Sequence, residues 1–166
     1  MPTKRVIDTS SLRPSLQDLM DHLRLTDHSQ DRMLMGYLQS AVLQAEHTIS
    51  RTLASSDVTY TGPVGPAVRL PFVDSTVITE LTSVTVDGEE VAYSLDFDLL
   101  ILPDGTTGKT LSVVYRVAAS EPEQDICQAI LLMAARHFNN PLDSVDSLPS
   151  ASANLLAPYR RYGIGR

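Results

Sequence analysis

The sequence predicts an α+β fold, mainly helical, with a β region inserted between the second and third helices. Three observations predict it. Apolar residues recur at three- and four-residue spacing from Leu16 to Leu53. Valine and tyrosine alternate with polar residues between 84 and 117. Residues 126–138 are apolar on nearly every face, broken only by Gln128, Arg136 and His137. Such a helix is packed on several sides.

Each element follows in order. Residues 1–14 are polar, end at Pro14, and read as a loose N-terminal arm. Ser15 is a good N-cap with Asp18 three residues on, in a capping-box position. Leu16, Leu19, Met20 and Leu23 then form one stripe of a short helix, about 15–24. Asp27 or Ser29 caps the second and longest helix, about 29–54. Its stripe is Leu34, Leu38, Ala41, Ala45, Ile49 and Leu53, widened by Met33 and Tyr37. Gly36 costs that helix about 1 kcal/mol relative to Ala, which calls for a close helix contact there.

Residues 55–75 change character. Gly62, Pro63, Gly65, Pro66 and Pro71 punctuate short β-like pieces, and the stretch reads as a loop or an extended hairpin. The β region spans about 76–117. Val84 and Val86 alternate, Asp87-Gly88 signals a hairpin turn, and Val91 and Tyr93 alternate on the return. Leu99–Leu102 is a short apolar run, and Leu111, Val113, Tyr115 and Val117 mark a half-buried strand. Glu121-Pro122-Glu123 opens the third helix, about 122–138, with acids at its positive dipole end. The organisation is thus an arm (1–14), a main domain (15–142), and a C-terminal linker and tail (143–166).

Composition narrows the function. The chain has 166 residues and 43% hydrophobic residues, enough for one packed domain. Aromatic residues are 5% and Trp is absent, which disfavours a base-stacking platform. The net charge of −7 argues against a surface that grips DNA or an anionic membrane all round. Residues 56–120 hold three Lys/Arg against nine Asp/Glu, while Arg160, Arg161 and Arg166 make the chain end basic. One cysteine, Cys127, excludes a disulfide framework and a multi-Cys metal site. No apolar run approaches the roughly 20 residues of a membrane span, and the first residues lack the apolar core of a secretory signal. A soluble protein of a reducing cytosol is expected.

No catalytic constellation emerges. His22, His28, His47 and His137 form no H-x-x-x-H pair. Cys127 lies on the apolar helix and reads as a buried, inert thiol. There is no G-x-S-x-G elbow, and Pro63 and Pro66 remove the amide donors that a phosphate loop needs. Glu89-Glu90 beside Asp87, and Asp96 with Asp98, read as solvated turns. No enzyme activity, metal or cofactor is expected.

The C-terminal end is the odd feature. Residues 143–154 are Ser- and Asp-rich and read as a mobile tether. Leu155, Leu156, Tyr159, Arg160, Arg161 and Tyr162 then supply apolar anchors, aromatic rings and charge-assisted donors. They form a candidate docking motif. The alternative is that Tyr159 and Tyr162 pack back on the helix 122–138.

Taken in order, these stretches resemble the head–tail connector (adaptor) proteins of long-tailed phages, prophages and gene transfer agents. Leu16-Gln17-Asp18-Leu19-Met20-Asp21-His22-Leu23-Arg24-Leu25 is similar to the family's opening helix. Tyr37-Leu38-Gln39-Ser40-Ala41, through Glu46 to Arg51, resembles its long helix, and Val84-Thr85-Val86-Asp87-Gly88 its first hairpin. Leu111 to Tyr115, Pro122 to Ile130, and Leu155 to Arg161 resemble its last strand, following helix and C-terminal end. The likeness covers about 16–162. The family often has a glycine soon after the last strand's Tyr, whereas Tyr115 is followed by Arg-Val-Ala-Ala.

The resemblance implies a small helical bundle with an inserted β-hairpin region. It implies a structural subunit of the virion's head–tail junction, assembled in the host cytoplasm. Roughly twelve copies would form a closed ring under the portal protein. The ring would join the DNA-filled head to a stopper or tail protein, and DNA would pass through the channel without specific binding. The C-terminal motif would dock on the portal. The alternative is another head-completion, stopper or tail-completion structural protein. A small hydrolase with an unrecognised site is the reading from a different class.

Overall fold

The computed structural model describes residues 3–73, 76–119, 121–140 and 149–161. The chain forms two compact units, each built from two stretches of sequence. One comprises residues 1–8 and 54–120, the other residues 9–53 and 121–166.

The first unit is a β structure. Its strands are β1 (Lys4–Ile7), β2 (Ser56–Pro63), β3 (Ala67–Arg69), β4 (Thr76–Val86), β5 (Glu89–Glu90), β6 (Ser94–Asp96), β7 (Leu99–Ile101) and β8 (Thr110–Ala119). They make a five-stranded sheet, ordered β1-β2-β8-β4-β5, and a three-stranded sheet, ordered β3-β7-β6. Every pairing is antiparallel.

β8 is central because it carries the cleanest alternation. Leu111, Val113, Tyr115 and Val117 are all buried, as the sequence predicts. The register sets Val58 opposite Tyr115 on one side, and Leu81 and Val84 opposite Tyr115 and Val113 on the other. One face therefore collects the apolar residues of three strands. Leu70, Leu100 and Leu102 join that core. The Tyr115 hydroxyl donates to the Pro71 carbonyl at 2.8 Å, which satisfies the one polar atom of a buried ring.

The Asp87-Gly88 turn forms as expected. Both residues have positive φ, 53° and 91°, and Val86 pairs with Glu89 across it. The Asp87 carboxylate also accepts the amides of Lys109 and Thr110, each at 2.9 Å, tying the turn to the start of β8. A Cβ on Gly108 would come within 2.2 Å of a Val86 methyl, so only glycine fits beside that turn.

The second unit is helical: α1 (Leu16–Leu23), α2 (Asp31–Ile49), α3 (Gln124–Asn139) and α4 (Ser150–Leu156). The Ser15 capping box is present in both directions. α2 stops five residues short of the predicted end because Ser50 turns left-handed at φ 53°. The Glu46 carboxylate, buried at 9% exposure, then takes the Leu53 amide at 2.7 Å. Leu53 is buried, but not as part of the helical stripe. Tyr37 stacks on His137 with ring centroids 6.0 Å apart, joining α2 to α3.

The expectation of a mainly helical chain is corrected here. The fold is α+β, with eight strands in two antiparallel sheets among the described residues; 40% is helical and 29% strand. A β-hairpin inserted in a bundle understates it. Two stretches account for the difference. Residues 4–7, read as loose arm, pair with β2 as an edge strand. Residues 55–75, read as a loop or extended hairpin, supply β2 and β3, which belong to different sheets. Residues 150–154, read as tether, lie in α4. Residues 143–148 of that tether lie outside the described residues.

Candidate docking surface

The tail residues singled out from sequence occupy three different environments. α4 begins after Pro149 and lies against α3. The Ser152 hydroxyl, fully buried, donates to the Ala129 carbonyl at 3.2 Å. Leu156 is 0% exposed and Leu155 half-buried, so both hold α4 onto its own unit. A short 3-10 turn, Ala157–Tyr159, follows with Pro158 inside it.

Tyr159 is half-buried, and its hydroxyl lies 3.3 Å from an Asp125 carboxylate oxygen, to which it donates. Desolvation first, and then the Asp125 charge, hold this phenol above its ordinary range. Arg160 is exposed. The exposed Arg161 donates its backbone N–H to the Ile49 carbonyl at 3.1 Å, in the last turn of α2. Tyr162 lies outside the described residues.

The apolar half of the motif is therefore core, and the Tyr-Arg-Arg half emerges where α2 ends and α3 begins. Arg51 reinforces that corner. Its guanidinium lies 2.9 and 3.0 Å from the two Glu123 oxygens. That hydrogen bond holds Glu123 below the usual carboxylate range. Tyr159 thus touches the helix 122–138, as the alternative reading of the sequence had it, but the particular partners of the tail, Ala129, Asp125 and Ile49, were not legible. Two of the three contacts are backbone carbonyls, which any residue type supplies.

Among the described residues no group of three or more His, Cys, Asp or Glu could hold a metal ion. Burial pushes the half-buried Cys127 thiol up, and its sulfur faces the Pro122 carbonyl at 3.8 Å. A cavity of about 410 Å³ beside it is lined by Arg13, Asp18, Asp21, His22, Glu121 and Gln124, among others. Three carboxylates there do not lower the thiol. No described helix is long and apolar enough to cross a membrane.

No protein-family model and no curated protein matches the chain. Solved structures do. A chain in the neck of an empty gene transfer agent (GTA) particle, computed with C6 symmetry, superposes with a TM-score of 0.68 at 23% identity. The match covers 100% of both chains. A chain in the neck of the native GTA particle, computed with C12 symmetry, gives 0.68 at 20% identity, again with complete coverage. A third, from the virion of a native GTA particle, gives 0.66 at 22% identity over 99% of each. This chain shares their fold.

Proposed function

We propose that the chain is a structural subunit of a virion neck: a connector (adaptor) that forms a ring beneath the portal and joins the head to the stopper or tail. The observation that carries the reading is the end-to-end likeness to neck chains of GTA particles, with nothing left over on either side. The C6 and C12 symmetries of those necks suit a closed ring.

In this reading the C-terminal motif divides its labour. Leu155 and Leu156 seat α4, while Tyr159, Arg160, Arg161 and Tyr162 present the aromatic and cationic groups that dock on the portal. Repetition round a ring would turn weak single contacts into a lasting joint. The acidic residues 56–120 suit a surface beside which DNA slides without sticking.

Complementation tests the proposal. Particles made without this chain should accumulate as portal-bearing heads that lack tails, and added purified chain should restore tail attachment. Normal tailed particles without the chain would refute a neck role.

A further inference from the structure

α2 carries a face that the described residues leave uncovered. From Met33 to Ala45 the helix has no charged residue. Its solvent-facing positions over that span are Met33, Gly36, Ser40 and Leu43, at spacings of three, four and three. Met33 and Leu43 are each 42% exposed. A solvated helix face is ordinarily charged or polar; this one is apolar and small. Gly36 sits mid-face and weakens the helix, yet nothing lies within 4 Å of where its Cβ would be. No contact among the described residues explains it.

We propose that this stripe, Met33-Gly36-Ser40-Leu43, is the surface on which a second copy of the chain docks. The inference rests on the ring reading given above. Charge selects the occupant. Each copy carries −7, with the excess on residues 56–120, and α1 adds exposed Asp18 and Asp21. Two such copies repel unless they meet through an uncharged surface, and α2 offers one. A basic partner would favour the acidic faces instead. Gly36 lets a backbone or bulky side chain of the neighbour approach closely at the centre.

Area points the same way. A stripe from Met33 to Leu43 is about 16 Å long and one helix wide. It falls well short of the roughly 800 Å² per partner of a stable two-body complex. Isolated pairs are therefore weak, and closure, where every copy has two neighbours, makes the assembly persist. The contact is heterologous, so the stripe meets a different surface of the next copy.

The test compares ring formation by wild type, Gly36→Leu and Leu43→Glu, in concentrated protein and on purified portal. Thr26→Glu adds the same charge at an exposed position off the stripe. Monomer melting is followed in parallel; Gly36→Leu should keep or raise it. The expected result is a rise of about tenfold or more in the ring-forming concentration for both stripe variants, with Thr26→Glu unchanged. A fluorophore on Ser40→Cys, in a Cys127→Ala background, should become buried on assembly, a readout that survives if a variant folds poorly. Rings formed normally by both stripe variants would overturn the inference and leave the ring reading intact. Intact rings that fail to bind a further neck component would reassign the stripe to that component and overturn it too. No ring from wild type, even on portal, would remove the ring reading itself, and this inference with it.

Discussion

Ser15 and Asp18 exchange hydrogen bonds at the start of α1: the Ser15 amide donates to the carboxylate at 2.7 Å, and the Asp18 amide to the Ser15 hydroxyl at 3.2 Å. The Ser15 amide and, at 2.8 Å, the Ser15 hydroxyl both donate to the Asp18 carboxylate and hold it below its ordinary 3.8. A depressed folded value means that the ionised form stabilises the fold. The contribution is complete above the ordinary value and is lost as pH falls through the lowered one. Ser15→Ala should cost about 0.5–2 kcal/mol near neutrality. The deficit should shrink in acid, below about pH 4, where wild type loses the interaction as well. Paired urea melts at neutral and acid pH check both the size and the trend. Glu46 gives a second case. Glu46→Ala leaves the Leu53 amide without its carboxylate acceptor and should lower stability by about 1–3 kcal/mol. Glu46→Gln keeps an acceptor oxygen and should cost less, which denaturant titration resolves.

At the scale of elements, α4 and the residues after it separate stability from docking. Leu156→Ala empties a fully buried site on α3 and should cost about 2–5 kcal/mol. Removal of residues 160–166 deletes two observed backbone bonds, from Arg160 to Ala157 and from Arg161 to Ile49, and should change stability by only about 1–2 kcal/mol. Under the docking proposal that truncated chain stays folded, with a melting temperature only a few degrees lower, and loses portal binding. Portal binding that survives the truncation would reject docking by this end.

Which elements were legible follows from where their signals lie. α1 announces itself through its cap, and α2 and the core of α3 through local spacing. Asp27, read as a possible cap of α2, instead caps a 3-10 turn, His28–Gln30, and α2 starts at Asp31 without a side-chain cap. The β4–β5 turn announces itself through Asp87-Gly88, and β8 through strict alternation. β1 and β2 do not. Their partners are 47 to 61 residues away, and Gly62 and Pro63 mask the β2 pattern locally. β4 is irregular because register shifts at Ile78/Glu80 and Leu81/Ser83 break its alternation. α4 was missed because Ser150-Ala151-Ser152-Ala153-Asn154 looks like linker by composition. Only packing of Ser152 and Leu156 on α3 makes it a helix. At the tail, residue types marked the motif, but its division into buried leucines and outward arginines depends on tertiary contacts.

For the whole molecule, the account's central claim is a place in an assembly: directly on the portal, as a ring. A connector binds portal unaided, whereas a stopper or tail-completion protein binds only after another component is in place. The measurement that separates them mixes purified portal with this chain alone and determines the mass and symmetry of what forms. The account predicts a complex with portal and no other component, carrying a closed ring of this chain with cyclic symmetry. A chain that stays free until a further neck protein is added, or that joins as a two-fold dimer, would contradict it.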